Sequence, residues 1–193
     1  MFYSSQRKAA VFRAAIWGIE GAGKTETLEG LISQLPPEVT RGNWLGYHGI
    51  SERDKSSFLE YVPIRLGEQD GINLMLELFS PQPDQRASET WLEIVSGADG
   101  IIVVVDSQLS RLTENIDHLA VLKDLLANSN RSLMRIPVVC QFNKRDLPDI
   151  LPFEVLERLI GLRTAPAFET IASQQLGVLD AIRALRKLLI RSL

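Results

Sequence analysis

The 193-residue sequence predicts an α/β domain: a three-layer sandwich in which a mostly parallel sheet of about six strands lies between two layers sharing about five helices. Three observations predict it. Strand-length apolar runs alternate along the chain with segments of helical period. Two of those runs, Gly100 to Asp106 (GIIVVVD) and Ile136 to Phe142, are almost continuously apolar, as expected of strands covered on both faces by helices. A third run, Val11 to Trp17, leads straight into Gly18-Ile19-Glu20-Gly21-Ala22-Gly23-Lys24-Thr25, a G-x-x-x-x-G-K-T loop placed to open a helix.

In chain order, residues 1–10 read as a short polar lead with little order of its own, and 11–193 as one domain. The first strand feeds the loop and a helix from Lys24 to Leu35, stopped by Pro36-Pro37. Residues 38–55 are Gly-rich, polar and aperiodic, a long loop of the kind that carries function. Ser57 to Ile64 and Ile72 to Phe79 read as strands joined through Gly67-Glu68-Gln69-Asp70-Gly71, hence an antiparallel hairpin. Ser80 to Gln85 breaks regular structure, and Ala87 to Ser96 resumes as a helix. Leu109 to Ala127 has helical spacing, with Leu112, Ile116, Leu119, Leu122 and Leu126 on one side. Phe153 to Ile160 reads as a helix, Ala165 to Glu169 as the last strand, and Val178 to Leu193 as a closing helix.

Composition narrows the function. Hydrophobic content of 45% and charged content of 23% are ordinary for a globular protein. A net charge of −3 gives no electrostatic reason to expect nucleic acid or an anionic membrane as partner. The single cysteine, Cys140, lies in an apolar run and reads as a buried thiol in a reducing compartment. No stretch reaches the roughly 18 apolar residues of a membrane span, and neither a signal peptide nor a lipidation motif is seen, so the expectation is a cytoplasmic protein without integral membrane association.

The chemistry follows from two loops. In the first, glycines let the backbone of Glu20, Gly21, Ala22, Gly23, Lys24 and Thr25 wrap an anion with its N–H groups inward, helped by the dipole of the following helix. Lys24 would reach the β- and γ-phosphates of a nucleotide, and the Thr25 hydroxyl would ligate Mg²⁺. In the second, Asn143-Lys144-Arg145-Asp146 (N-K-x-D) follows a buried strand, where ligands bind in parallel sheets. A carboxylate at Asp146 accepts from guanine N1–H and its exocyclic amine; adenine offers no such pair and would leave the acceptor unpaired. The Lys144 stem can cover the base, and Asn143 can brace the loops. A weaker signal is Glu169-Thr170-Ile171-Ala172, where the Ala172 N–H could donate to guanine O6.

With these motifs in place, the chain resembles the bacterial MglA group of small Ras-like GTPases over nearly its whole length. The match is densest from Gly97 to Gln108 and from Ile136 to Pro148. The resemblance implies a Ras-like P-loop G domain with six strands, one antiparallel, and a GTP/GDP switch read by partner proteins. It also implies a Roadblock-fold activator and a role in cell polarity or surface motility.

Departures from the group fall in its two switches. Lys55-Ser56 stands where the group carries Arg-Thr; Ser56 keeps a hydroxyl for the metal, but Lys55 loses the planar fork that suits a transferring phosphoryl group. Ser80-Pro81-Gln82-Pro83-Asp84 replaces Thr-Val-Pro-Gly-Gln. Pro83 has no N–H for the γ-phosphate, and Asp84 replaces the water-orienting Gln. A slip of one or two residues would bring Gln82 or Gln85 into that role. Glu20 stands where many Ras-like proteins have Gly, and both an inhibitory and a harmless side chain fit. The expectation is retained nucleotide binding with slow or lost hydrolysis.

Two functions stay open on this reading: a GTP-hydrolysing switch, and a pseudo-GTPase that holds nucleotide for structure while docking a partner. An ATP-using enzyme is opposed by the N-K-x-D loop. His48 and His118 lack metal-ligand neighbours and read as surface residues. Trp44 and Trp91 suit core and interface equally. Arg183, Arg186, Lys187 and Arg191 read as the solvated basic face of the closing helix.

Overall fold

A computed structural model describes residues 2–4, 9–36, 39, 45–48, 58–81, 89–162 and 164–192. The organising strand is β2 (Ala9–Trp17), buried at every position except Arg13. It lies parallel to β5 (Ile72–Pro81) on one side and to β6 (Gly100–Asp106) on the other. β7 (Val138–Asn143) and β8 (Ala167–Glu169) continue the parallel half beyond β6. Beyond β5, β4 (Phe58–Gln69) runs antiparallel. These six strands, β4-β5-β2-β6-β7-β8, form the expected sheet with its one antiparallel member.

Two short strands extend the sheet beyond that expectation. β1 (Phe2–Ser4), within the segment read as an unstructured lead, pairs antiparallel with Ala9–Val11 of β2. It takes the side of β2 that β6 occupies only from Ala14 onward. β3 (Leu45–His48), within the segment read as a loop, pairs antiparallel with β4. The hairpin connection is also shorter than expected. Its turn is Asp70-Gly71 alone, with φ of 53° and 77°, the left-handed pair that a two-residue type I′ turn needs. Gly67 instead sits within β4 at an irregularity in register.

Alternation along the strands decides the layers. Ile102 and Val104 of β6 point to one core with Phe12, Ala14 and Ile16; Ile101, Val103 and Val105 point to the other with Ala15 and Trp17. The first core is closed by α1 (Lys24–Gln34) and α5 (Val178–Arg191), the second by α2 (Glu89–Gly97), α3 (Leu112–Asn128) and α4 (Phe153–Ile160). This is the three-layer sandwich. α5 buries Val178, Ala181, Ile182, Leu185 and Leu189, each worth about 1.5–3 kcal/mol for the larger aliphatic side chains. It fits closely because Gly100 has no side chain: a Cβ there would stand 3.0 Å from Leu185 and 3.1 Å from Leu189.

α3 begins later than expected, after a 3-10 turn over Leu109–Arg111. Ile116, read as a core position, is 39% exposed; the buried stripe is Asn115, Leu119, Leu122 and Leu126. The basic face of α5 also loses a member, since Arg186 Nε donates to Leu66 O at 2.9 Å and staples the helix to β4. No helix among the described residues is long and apolar enough to cross a membrane.

Candidate nucleotide site

β2 places Gly18 beside β6 so tightly that a Cβ would collide with the Val104 carbonyl oxygen. The chain then turns, with the Ala22 N–H donating to Ile19 O at 3.2 Å, and enters α1, where the Thr27 N–H donates to Gly23 O at 2.9 Å. Gly21 and Gly23 take φ of 70° and 101°, which residues with a side chain rarely adopt. Lys24 is 6% exposed, and its ammonium donates to Gly18 O (3.1 Å) and Ile19 O (2.9 Å), folding the stem back over the loop. Thr25 is half-buried in the first turn of α1, while Glu20 and Gly21 are exposed at the crown.

The N-K-x-D loop is tied to this one by a side-chain amide. Asn143, last residue of β7 and 2% exposed, donates from Nδ2 to Ala22 O at 2.8 Å. Its Oδ1 accepts from the Thr170 hydroxyl (3.1 Å) and from the Ala172 N–H (2.9 Å). Gly23 must be glycine for this too, because a Cβ would collide with Asn143 Nδ2. The Ala172 N–H, expected to face guanine O6, is thus engaged inside the protein. The bracing Asn143 draws it, because a buried carbonyl oxygen has two lone pairs to fill.

Sequence reasoning saw Asn143 as a brace but missed the contacts of the other side chains that hold these loops. Lys144, at φ 64°, places Nζ 2.7 Å from Oδ2 of Asp106, a carboxylate 1% exposed at the end of β6. Asp106 Oδ1 also accepts from the Gln108 N–H at 3.1 Å. Arg145 pairs with Glu169 at 2.8 Å and donates to Leu151 O at 2.7 Å, fixing the loop on both sides. Arg111 Nη2 donates to Glu20 O at 2.8 Å. The one available signal was an acid closing an otherwise apolar strand, GIIVVVD.

Gly23, Asn143, Lys144, Asp146, Ala172 and Ser173 line one open cavity of about 200 Å³, which both loops share. No protein-family model matches the chain. It is 30% identical over 171 residues to the mutual gliding-motility protein MglA of Myxococcus xanthus (strain DK1622), covering 89% of this chain and 86% of that protein. The chain belongs to the MglA-type small GTPases. Membership makes it a Ras-like guanine-nucleotide-binding protein, in keeping with the two loops.

The remaining readings resolve unevenly. Lys55, Ser56, Gln82, Pro83, Asp84, Gln85 and Trp44 lie outside the described residues, as do the side chains of His48 and Trp91. His118 is half-buried: its ring stacks on Trp17 at 4.6 Å, and its backbone carbonyl accepts from Trp17 Nε1 at 3.1 Å. Burial first and the Lys24 charge second push its pKa down to about 4, against a backbone hydrogen bond at Gly18. Cys140 is fully buried, and desolvation, with Glu157 adding, drives its thiol pKa far up, so it stays protonated.

Proposed function

We propose that this chain is a guanine-nucleotide-binding regulator with slow intrinsic GTP hydrolysis, acting in the cytoplasm through partner proteins. The observation that carries the proposal is the cavity in which the phosphate loop and the N-K-x-D loop meet, joined by Asn143. In this reading Asp146, exposed at the cavity rim, accepts from the guanine edge, and the Lys144 stem covers the ring while Asp106 holds its ammonium. The backbone from Glu20 to Thr25, with Lys24, holds the phosphates. Ala172 walls the base end.

Mg²⁺ beside phosphates takes only one or two protein oxygens. Thr25, in the first turn of α1, suits that demand, and Ser56 is proposed as the second ligand. The ion would neutralise charge developing on the transferring phosphoryl group. Slow hydrolysis rests on the sequence: Pro83 offers no N–H, Asp84 carries the wrong charge for the water-orienting role, and Lys55 lacks the guanidinium fork. The relative's name supports a role in gliding motility; a part in cell polarity and a Roadblock-fold activator are proposed with it.

The test is a single-turnover assay: load GTP with Mg²⁺, then follow bound GTP and GDP over hours, with and without a Roadblock-type partner. Slow conversion that the partner accelerates is expected, and would assign water positioning to Gln82 or Gln85. GTP intact in both arms would make the chain a pseudo-GTPase binding module. Failure to bind GTP would overturn the proposal.

A further inference from the structure

The crown of the phosphate loop is a four-residue turn, Ile19 to Ala22, closed by the 3.2 Å bond from Ala22 N–H to Ile19 O. Its third residue, Gly21, has φ +70°, whereas Glu20 is not among the residues of positive φ. That combination is a type II turn. Types I and II differ by a half-turn of the central peptide, here Glu20–Gly21. In a planar trans peptide the C=O and N–H point in opposite directions, so whatever holds the carbonyl also aims the amide.

Arg111 holds the carbonyl. From the 3-10 turn before α3 its Nη2 donates to Glu20 O at 2.8 Å, across 91 positions of sequence. The guanidinium is itself fixed by the Glu114 carboxylate, which accepts at 2.9 Å from Nη1 and 3.1 Å from Nη2. Asn115 secures the backbone below: its Nδ2 donates to Arg111 O and Asp106 O, each at 2.9 Å. An isolated surface pair of Arg111 with Glu114 would contribute little. A planar fork shared between a carboxylate and one loop carbonyl is a positioning device, and lysine cannot reproduce it fully.

We propose that Arg111 is a positioning residue for phosphate binding: it pins the Glu20 carbonyl away from the ligand and so presents the Gly21 N–H to the anionic end of the nucleotide. Released, the peptide is free to flip toward type I and aim an oxygen at the phosphates. Gly21 fits this role, because a Cβ there would meet nothing within 4 Å; glycine is required for the backbone angle alone.

The proposal rests on the guanine-nucleotide reading, and the experiment separates the two. GDP, GTP and inosine diphosphate are titrated into wild type, Arg111→Gln and Arg111→Lys, with the melting temperature of each free protein as a folding control. Arg111→Gln is expected to weaken GDP and GTP about tenfold, the size of one charge-assisted hydrogen bond that orients an anion-binding amide. Its preference for GDP over inosine diphosphate should stay at the wild-type value, because the base loop is untouched. Arg111→Lys should recover part of the loss. In the labelled free protein, the Glu20 carbonyl-carbon and Gly21 amide resonances should move in Arg111→Gln.

Wild-type affinity in Arg111→Gln, or a loss that carries base preference with it, or unmoved Glu20 and Gly21 resonances, would each overturn the proposal. Should Arg111→Gln not fold, Glu114→Gln keeps the guanidinium but loosens it, and the same resonances and a smaller loss of GDP affinity are expected; no change in either overturns the proposal. Wild type that binds none of the three nucleotides would bring down the guanine-nucleotide reading itself.

Discussion

At the scale of the residue, the site depends on polar side chains that bond from one loop to another. Asn143 uses one donor and both acceptor positions on three partners in two loops, and an amide so buried would cost about 1–3 kcal/mol for each partner lost. His118 works differently. Stacked on Trp17 beneath the phosphate loop, it is held neutral, with its pKa lowered from 6.5 to about 4. The unfolded chain therefore binds more protons than the native one across that window. Stability contributed by the neutral ring is present above pH 6.5 and is lost as pH falls toward 4. His118→Phe keeps the ring stack without the titration. Urea unfolding from pH 7 to pH 4 should show wild type losing more stability than His118→Phe; parallel curves would refute the assignment.

At the scale of the element, glycines at positive φ divide by what surrounds them. Gly177 caps α5 at φ 74°, and a Cβ there would collide with the Glu169 carbonyl and stand 3.1 Å from Thr170 Cγ2. Gly161 caps α4 at φ 70° with open space around it. Both pay the left-handed penalty of about 1–2 kcal/mol if replaced by alanine, but only Gly177→Ala adds a backbone clash. Chemical denaturation should find Gly177→Ala the more destabilised by about 1 kcal/mol or more. Gly177→Ala should also weaken guanine-nucleotide binding, because the clash displaces Glu169 and Thr170, next to the Ala172 wall of the cavity. Equal losses in the two variants would mean that the α5 cap yields without strain.

At the scale of the molecule, the cavity joins the loops after β2, β7 and β8, so a nucleotide held there would bridge elements from both ends of the chain. Binding to the native state alone stabilises it by about 2.7 kcal/mol at a hundredfold excess over Kd. For a chain of this length that raises the melting temperature by about 5–10 °C. GDP should produce that shift and ADP should not. Asp146→Asn should shrink the GDP shift at the same concentration, since the amide offers the guanine edge a donor where it needs an acceptor. An undiminished shift in Asp146→Asn, read by thermal melting, would remove Asp146 from the base pocket.

Much of this architecture was legible from contiguous residues. Apolar period placed the six main strands and five helices, because each element's own neighbours set its buried face. The G-x-x-x-x-G-K-T and N-K-x-D loops were legible because backbone angle and side-chain type at fixed spacing are local demands. What only the tertiary structure decided depends on partners far apart in sequence. β1 and β3 became strands because open edges of β2 and β4 stood beside them; runs of three and four residues are too short to announce a strand by themselves. Ile116 lost its place in the core to Asn115, whose amide was needed at the Asp106 backbone. His118 was stacked on Trp17, 101 positions away; Lys144 was claimed by Asp106 at 38, and the Glu20 carbonyl by Arg111 at 91. Local sequence encodes period and loop chemistry, while the pairing of buried charges and carbonyls is settled only when the sheet brings the strand ends together.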